Sequence, residues 1–184
     1  MLEREVALSW LDQSESGIEV SRVTFTQYSC SVDGRIDGPA HAPFVLEYAV
    51  SCDEAWNTRY VFIAEASGDR RLELLASGRG HWTDGDGEPL PELRGALDVD
   101  ISATPFTNTL PIRRLDLPPG GSAEITVAFV SVPDLALSTE RQRYTRTSEL
   151  GYRFESVDAD FERQITVDAD GLVVEYPGLF SRLD

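Results

Sequence analysis

The sequence contains no lysine: all sixteen basic residues are arginines, against 32 acidic residues, and the formal net charge is −16. Such a charge disfavours nucleic-acid binding, because that binding needs cationic side chains along the phosphate backbone. The acidic surface is typical of a protein adapted to high internal salt. A GC-rich genome, which favours arginine codons over lysine codons, is the alternative explanation.

Long apolar runs are also missing. No stretch approaches the roughly 20 apolar residues that a membrane-spanning helix needs, so we expect no stable membrane insertion. The first six residues lack the basic start and the apolar region of a secretory signal. We therefore expect a cytoplasmic protein.

Cysteine and histidine are scarce, with two residues of each. Cys30 and Cys52 are predicted to be buried thiols and are too few for a cysteine zinc cage. The sequence has no Gly-x-Ser-x-Gly turn that a histidine could serve. The run 84–88 begins like a calcium loop, but Gly95 stands where the last ligand of that loop would be glutamate. The sequence thus predicts no catalytic residue, no metal and no cofactor.

Period-two alternation of apolar and polar residues is abundant, as in Phe44–Val50, Tyr60–Ala64 and Ile165–Val174. Gly-containing turn pairs such as Asp33-Gly34 and Asp170-Gly171 separate these runs and favour hairpins. The pattern predicts one mainly β domain over residues 1–184, with an antiparallel sheet large enough to curl. A short helix is predicted to begin near Thr109.

The run Asp98–Leu115 concentrates polar chemistry. It opens as a strand with Asp98 and Asp100 on one face and ends on two arginines, Arg113 and Arg114. Carboxylates two residues apart on a strand lie on the same side, which is poor geometry for glycoside hydrolysis but suits hydrogen bonding to sugar hydroxyls. Residues 110–155 carry no net charge, so an anionic ligand group could bind these arginines, or the arginines could pair with local acids.

Two tryptophans, Trp56 and Trp82, lie in polar, turn-flanked contexts. Each could stack on a sugar or line the mouth of a cavity, and each could equally pack on a sheet end. The sequence leaves both possibilities open.

Several separated stretches resemble the putative glycolipid-binding family of bacterial and archaeal proteins. They run in the order of the family: 56–59, 80–82, 93–101, 104–115, 142–145 and 167–180. The resemblance implies a strongly curved antiparallel β-roll or half-barrel around a cavity, reminiscent of bacterial lipoprotein carriers. It implies a glycolipid-like ligand and provides no catalytic residue.

The polar groups that would hold the headgroup of such a ligand at the cavity rim are predicted to be Asp98, Asp100, Thr107, Asn108, Arg113, Arg114, Arg143 and Tyr144. The leading hypothesis is a non-enzymatic protein that binds an amphiphile, a glycolipid or its precursor.

Two other functions stay open at this point. One is a hydrolase-type enzyme on a lipid or sugar substrate, with Asp98 or Asp100 as base. The other is a structural or interaction module, including a homodimer, in which Asp–Arg pairs such as Asp100 with Arg113 lock the 98–115 corner.

Overall fold

The computed structural model describes residues 3–13, 17–68 and 70–183 of the chain. Strands make up 56% of the chain and helices 7%, so the predicted mainly β fold with at most one or two short helices is confirmed. The strands are β1 (Arg4–Asp12), β2 (Ile18–Phe25), β3 (Ser29–Asp37), β4 (Val45–Asp53), β5 (Thr58–Glu65), β6 (Arg71–Ala76), β7 (Trp82–Asp84), β8 (Asp98–Ile101), β9 (Ser122–Ser131), β10 (Ala136–Arg146), β11 (Gly151–Ser156), β12 (Phe161–Val167), β13 (Val173–Tyr176) and β14 (Phe180–Leu183). Helix α1 spans Phe106–Leu115, and a 3-10 turn spans Pro91–Leu93.

All these strands belong to one sheet, in the order β7-β6-β5-β4-β3-β2-β1-β14-β13-β12-β11-β10-β9-β8. The first seven strands form one antiparallel meander and β9 to β14 form a second. The two meanders join where β1 pairs with β14, with Trp10 opposite Arg182. The sheet is strongly curved and its two ends do not close on each other in the described residues.

Strand β8 departs from the predicted antiparallel pattern, because it pairs with β9 in parallel. Helix α1 lies in the connection between these two strands. A parallel pair requires such a crossover, since a short hairpin can only reverse the chain direction. The β8–α1–β9 unit therefore places the polar run 98–115 at the edge of the sheet, with β8 as the edge strand.

Helix α1 begins three residues before its predicted start at Thr109. The Thr104 hydroxyl accepts a hydrogen bond from the Phe106 N–H at 3.1 Å, which satisfies one of the free N–H groups of the first turn. Helix α1 ends at Leu115, and the next residue, Asp116, has a left-handed φ of 40°. Seven consecutive residues, 106–112, are buried, so the helix is enclosed by the curled sheet rather than lying on its surface.

The first residue of β5 contacts β8 and the segment before it. The Thr58 N–H donates to the Leu97 carbonyl at 3.1 Å, and the Thr58 hydroxyl accepts the Val99 N–H at 3.1 Å. Thr58 is fully buried, and these bonds satisfy its polar groups. The contact ties β5 to β8 across the curved sheet without joining the two strands in a ladder.

Buried apolar side chains form two clusters. The larger one is built mainly on β1 to β8 and includes Phe106 and Leu110 of α1, and the smaller one is built on β10 to β14 and includes Ile112. Helix α1 thus contributes to both clusters. Cys30 and Cys52 are buried free thiols, as predicted.

Candidate functional site

A cavity of about 310 Å³ lies between the N-terminal half of α1 and the second meander. Its wall contains five aromatic rings, one each from β9, β11, β12, β13 and β14, which strand alternation turns inward. The rings are Phe129, Phe154, Phe161, Tyr176 and Phe180. Phe154 packs edge-on against Phe161 and Tyr176, with ring centroids 6.0 and 6.1 Å away. These contacts fix the shape of the wall, as offset and edge-on ring pairs do.

Polar side chains enter the same cavity from β8, α1 and β10: Asp100, Asn108, Glu140 and Gln142. Gln142 Nε2 donates to Asp100 Oδ2 at 2.6 Å, and the Thr107 hydroxyl donates to Asp100 Oδ1 at 3.0 Å. Each carboxylate oxygen of Asp100 therefore has a neutral donor. No cation pairs with it among the described residues.

Tyr144 continues this polar network away from the cavity. Its hydroxyl donates to Asn108 Oδ1 at 2.9 Å, and Asn108 Nδ2 donates to the Pro105 carbonyl at 3.3 Å. Tyr144 is almost fully buried, and its ring lies edge-on to Phe154 at 5.4 Å. The network holds the Asn108 side chain in one orientation at the cavity wall.

The carboxyl groups of the cavity are poorly solvated. Burial raises the pKa of Asp100 above its ordinary value, and the hydrogen bonds from Gln142 and Thr107 oppose that rise. Burial also raises the pKa of Glu140, and the negative charges of Asp100 and Asp158 add to the increase. Among the described residues, neither carboxyl group is paired with a positively charged side chain.

Asp98 has a different role from Asp100. It is completely buried and forms a two-point ion pair with Arg114, at 3.0 Å from Nε to Oδ1 and 2.6 Å from Nη2 to Oδ2. The hypothesis of an Asp100–Arg113 pair is therefore wrong, because Asp98 and Arg114 form the pair that joins strand to helix. Because Asp98 is paired with Arg114, Asp98 and Asp100 are not two free carboxylates on one strand face.

The remaining predicted arginines lie away from the cavity. Arg143 points to the outer face of β10, where it pairs with Glu124 and Glu155, because neighbouring residues of a strand face opposite sides. Arg113 lies over the Trp56 ring at 4.9 Å and lines two other cavities of about 420 and 340 Å³. The structure thus brings Asp100, Thr107, Asn108 and Tyr144 together and leaves these two arginines apart.

A family model described as "Putative glycolipid-binding" matches residues 7–182. The chain belongs to this family. The resemblance on which the sequence prediction rests is therefore confirmed over almost the whole length. A solved structure is also similar: the crystal structure of a DUF1089 family protein from Pseudomonas aeruginosa is 40% identical, with a TM-score of 0.79 over 90% of this chain and 92% of that one. No curated protein matches the chain.

The two tryptophans in turn-flanked positions, Trp56 and Trp82, have different roles in the structure. Trp82 is buried and its Nε1 donates to the Ala96 carbonyl at 2.9 Å, so it packs the sheet end. Trp56 is half-buried with a left-handed φ of 65°, an uncommon conformation for so bulky a residue. The Asp53 carboxylate accepts the N–H groups of Ala55 and Asn57, both at 3.0 Å, and so holds this turn.

Several wall residues of the cavity were not predicted: Phe129, Glu140, Gln142, Phe154, Phe161, Tyr176 and Phe180. Gln142 opens the run 142–145 that contributes to the family resemblance, and this was the one signal that could have selected it. The aromatic residues carry the same strand pattern as core residues. Their position at a cavity follows from the curvature of the sheet and not from their local sequence.

The acidic turn that begins at Asp84 is a hairpin turn. Asp84 Oδ1 accepts the N–H groups of Asp86 and Glu88, at 3.0 and 2.9 Å. In the part of the chain that the structure describes, no group of three or more histidine, cysteine or acidic side chains is arranged to hold a metal ion. No helix among those residues is long and apolar enough to cross a membrane.

Proposed function

We propose that the protein binds one amphiphilic molecule, a glycolipid or its precursor, in the aromatic cavity and does not convert it chemically. The proposal includes the cytoplasmic location that the sequence predicts. The observation that carries it is the composition of the wall, in which five aromatic rings face Asp100, Asn108 and Gln142. Apolar walls with a few convergent polar groups are typical of small-molecule sites.

The size of the cavity supports this proposal. At about 310 Å³ it lies at the lower end of the range for ligand pockets, enough for a short alkyl segment with part of a headgroup. The apolar part of the ligand would pack on the Phe154 and Phe161 rings. Hydroxyl groups of a sugar would donate to the Asp100 carboxylate and to Asn108 Oδ1, in the manner of a carboxylate that accepts more than one hydrogen bond.

We expect Ser156→Phe to weaken amphiphile binding strongly while the fold is retained. Ser156 ends β11 and lines the cavity, so a phenyl ring there fills space that the ligand needs. Isothermal titration with octyl β-glucoside below its micelle concentration measures the affinity. We expect the affinity to fall about tenfold or more, because the ligand loses at least about 1.4 kcal/mol of favourable apolar burial.

The matched control is Thr139→Phe, which adds the same ring to the exposed outer face of β10. We expect this variant to bind octyl β-glucoside like the unsubstituted protein. Equal affinity of Ser156→Phe and Thr139→Phe, both folded by circular dichroism, would show that the cavity is not the binding site.

A further inference from the structure

The charged groups of the cavity all have the same sign. Of the described residues that line it, Asp100 and Glu140 are acidic and none is an arginine or histidine. Arg163 does not line the cavity; it covers the Phe161 ring at 4.6 Å and donates to the Glu162 carbonyl at 2.7 Å. A ligand inside the cavity therefore meets negative charge and aromatic rings.

Glu140 has spare hydrogen-bonding capacity. Among the described residues it has no hydrogen-bond donor and no ion pair, and its two electrostatic neighbours, Asp100 and Asp158, are both acidic. Asp158 is already paired with Arg141 on the outside of the sheet. A positive group placed in the cavity would relieve repulsion between Glu140 and Asp100 without displacing an existing partner.

The aromatic wall adds to this preference. The face of an aromatic ring carries negative charge in its quadrupole, so a desolvated ammonium group is attracted to it by about 2 kcal/mol, and cages of several rings recognise substituted ammonium ions. Phe129, Phe154, Phe161, Tyr176 and Phe180 surround the same space as the two carboxylates. An anionic headgroup would meet aromatic rings and carboxylates, and none of the described lining residues is an arginine that could pair with it.

We infer that the cavity selects an amphiphile whose headgroup carries a protonated amine, an amino sugar among them, and rejects anionic amphiphiles. This inference rests on the proposed function and names the headgroup of its ligand. It also replaces the expectation that Arg113, Arg114 and Arg143 hold an anionic group, because none of these three arginines lines the cavity.

The test compares three probes that share an eight-carbon chain: octylammonium, octanoate and octyl β-glucoside. Isothermal titration in 0.3 M NaCl, which screens the long-range attraction of the net charge of −16, gives the three affinities. We expect octylammonium to be the tightest of the three and about tenfold tighter than octanoate. Glu140→Gln should reduce the octylammonium affinity about fivefold, in line with the loss of one partly desolvated charge.

Glu162→Gln is the matched control, because it removes the same charge from an exposed position on β12. It should leave the octylammonium affinity unchanged. Octanoate or octyl β-glucoside binding as tightly as octylammonium, or an equal effect of Glu140→Gln and Glu162→Gln, would overturn the inference while the proposed function stands. Binding of none of the three probes would instead overturn the proposed function.

Discussion

We expect Arg114→Met to lower the free energy of unfolding by about 3–5 kcal/mol at pH 8, the cost of leaving one member of a buried ion pair alone. Asp98 is fully buried and the Arg114 side chain is 14% exposed, so water cannot replace the guanidinium. For a domain of this size the melting temperature should fall by roughly 6–20 °C. Urea titration and differential scanning calorimetry measure the two quantities.

The Asp98–Arg114 pair also predicts how the loss in the free energy of unfolding depends on pH. Burial already raises the pKa of Asp98, and the Arg114 charge holds that rise back. Without the arginine, the carboxyl group binds a proton more readily, so the destabilisation is largest at high pH and becomes smaller as pH falls. In the double variant Asp98→Leu/Arg114→Met both charges are gone, and we expect most of the stability to return. A single variant as destabilised as the double one would contradict this account of the pair.

The second large effect concerns Glu19, which is buried on the inner face of β2. The Tyr48 hydroxyl donates to Glu19 Oε1 at 2.5 Å, while Glu19 Oε2 has no hydrogen-bond partner in the part of the chain that the structure describes. Burial raises the pKa of Glu19 to about 7. The carboxyl group is therefore protonated in the folded state at pH values where the unfolded chain is already ionised.

The sign of the resulting pH dependence follows from this difference. Below a pH of about 4.5 the group is protonated in both states, and between about 4.5 and 7 only the unfolded state releases the proton, so stability falls as pH rises. The loss is about 3 kcal/mol in total, because each pKa unit corresponds to about 1.4 kcal/mol. Glu19→Gln removes this contribution, so the variant should gain about 3 kcal/mol relative to the unsubstituted protein between pH 4.5 and pH 8.

Urea titrations of both proteins at pH 4.5, 6 and 8 test this prediction. The exposed Glu162→Gln serves as control, since it changes the net charge equally but removes no buried carboxyl group. A stability difference between Glu19→Gln and the unsubstituted protein that stays constant with pH would contradict the account of Glu19.

Local alternation was sufficient to predict many strands. In β4, Leu46, Tyr48 and Val50 are buried, as the alternation of Phe44–Val50 predicts. Period two depends only on neighbouring residues, so it can be read before any tertiary contact is known. Strand β2 is the instructive exception, because Glu19 and Ser21 face inward while Val20 faces outward.

Glu19 faces inward because of residues distant in the sequence. Gly34 of β3 has no side chain, and a Cβ atom there would come within 2.2 Å of the Tyr48 ring. The Tyr48 ring therefore crosses β3 and delivers its hydroxyl to Glu19. Gly34 on β3 and Tyr48 on β4 together create a polar position in the core. The sequence of β2 alone does not show this position.

The polar run 98–115 supplies part of the cavity wall, but the residues that pair with it could not be predicted from the sequence. Asp100 and Asn108 do line the cavity, and Gln142 reaches Asp100 from 42 residues away. Such pairings depend on the order of strands in the sheet and on the parallel β8–β9 contact. Arg143 is different, because strand alternation alone already places it on the face opposite Tyr144.

The measurement that tests the central claim most directly is mass spectrometry of gently purified protein, first native and then after extraction with organic solvent. Purification in molar salt keeps the repulsion of the acidic surface screened. The account predicts one amphiphile per protein chain in the extract, and much less in the extract of Ser156→Phe. A folded protein that yields no amphiphile and also fails to bind octylammonium, octanoate and octyl β-glucoside would contradict it.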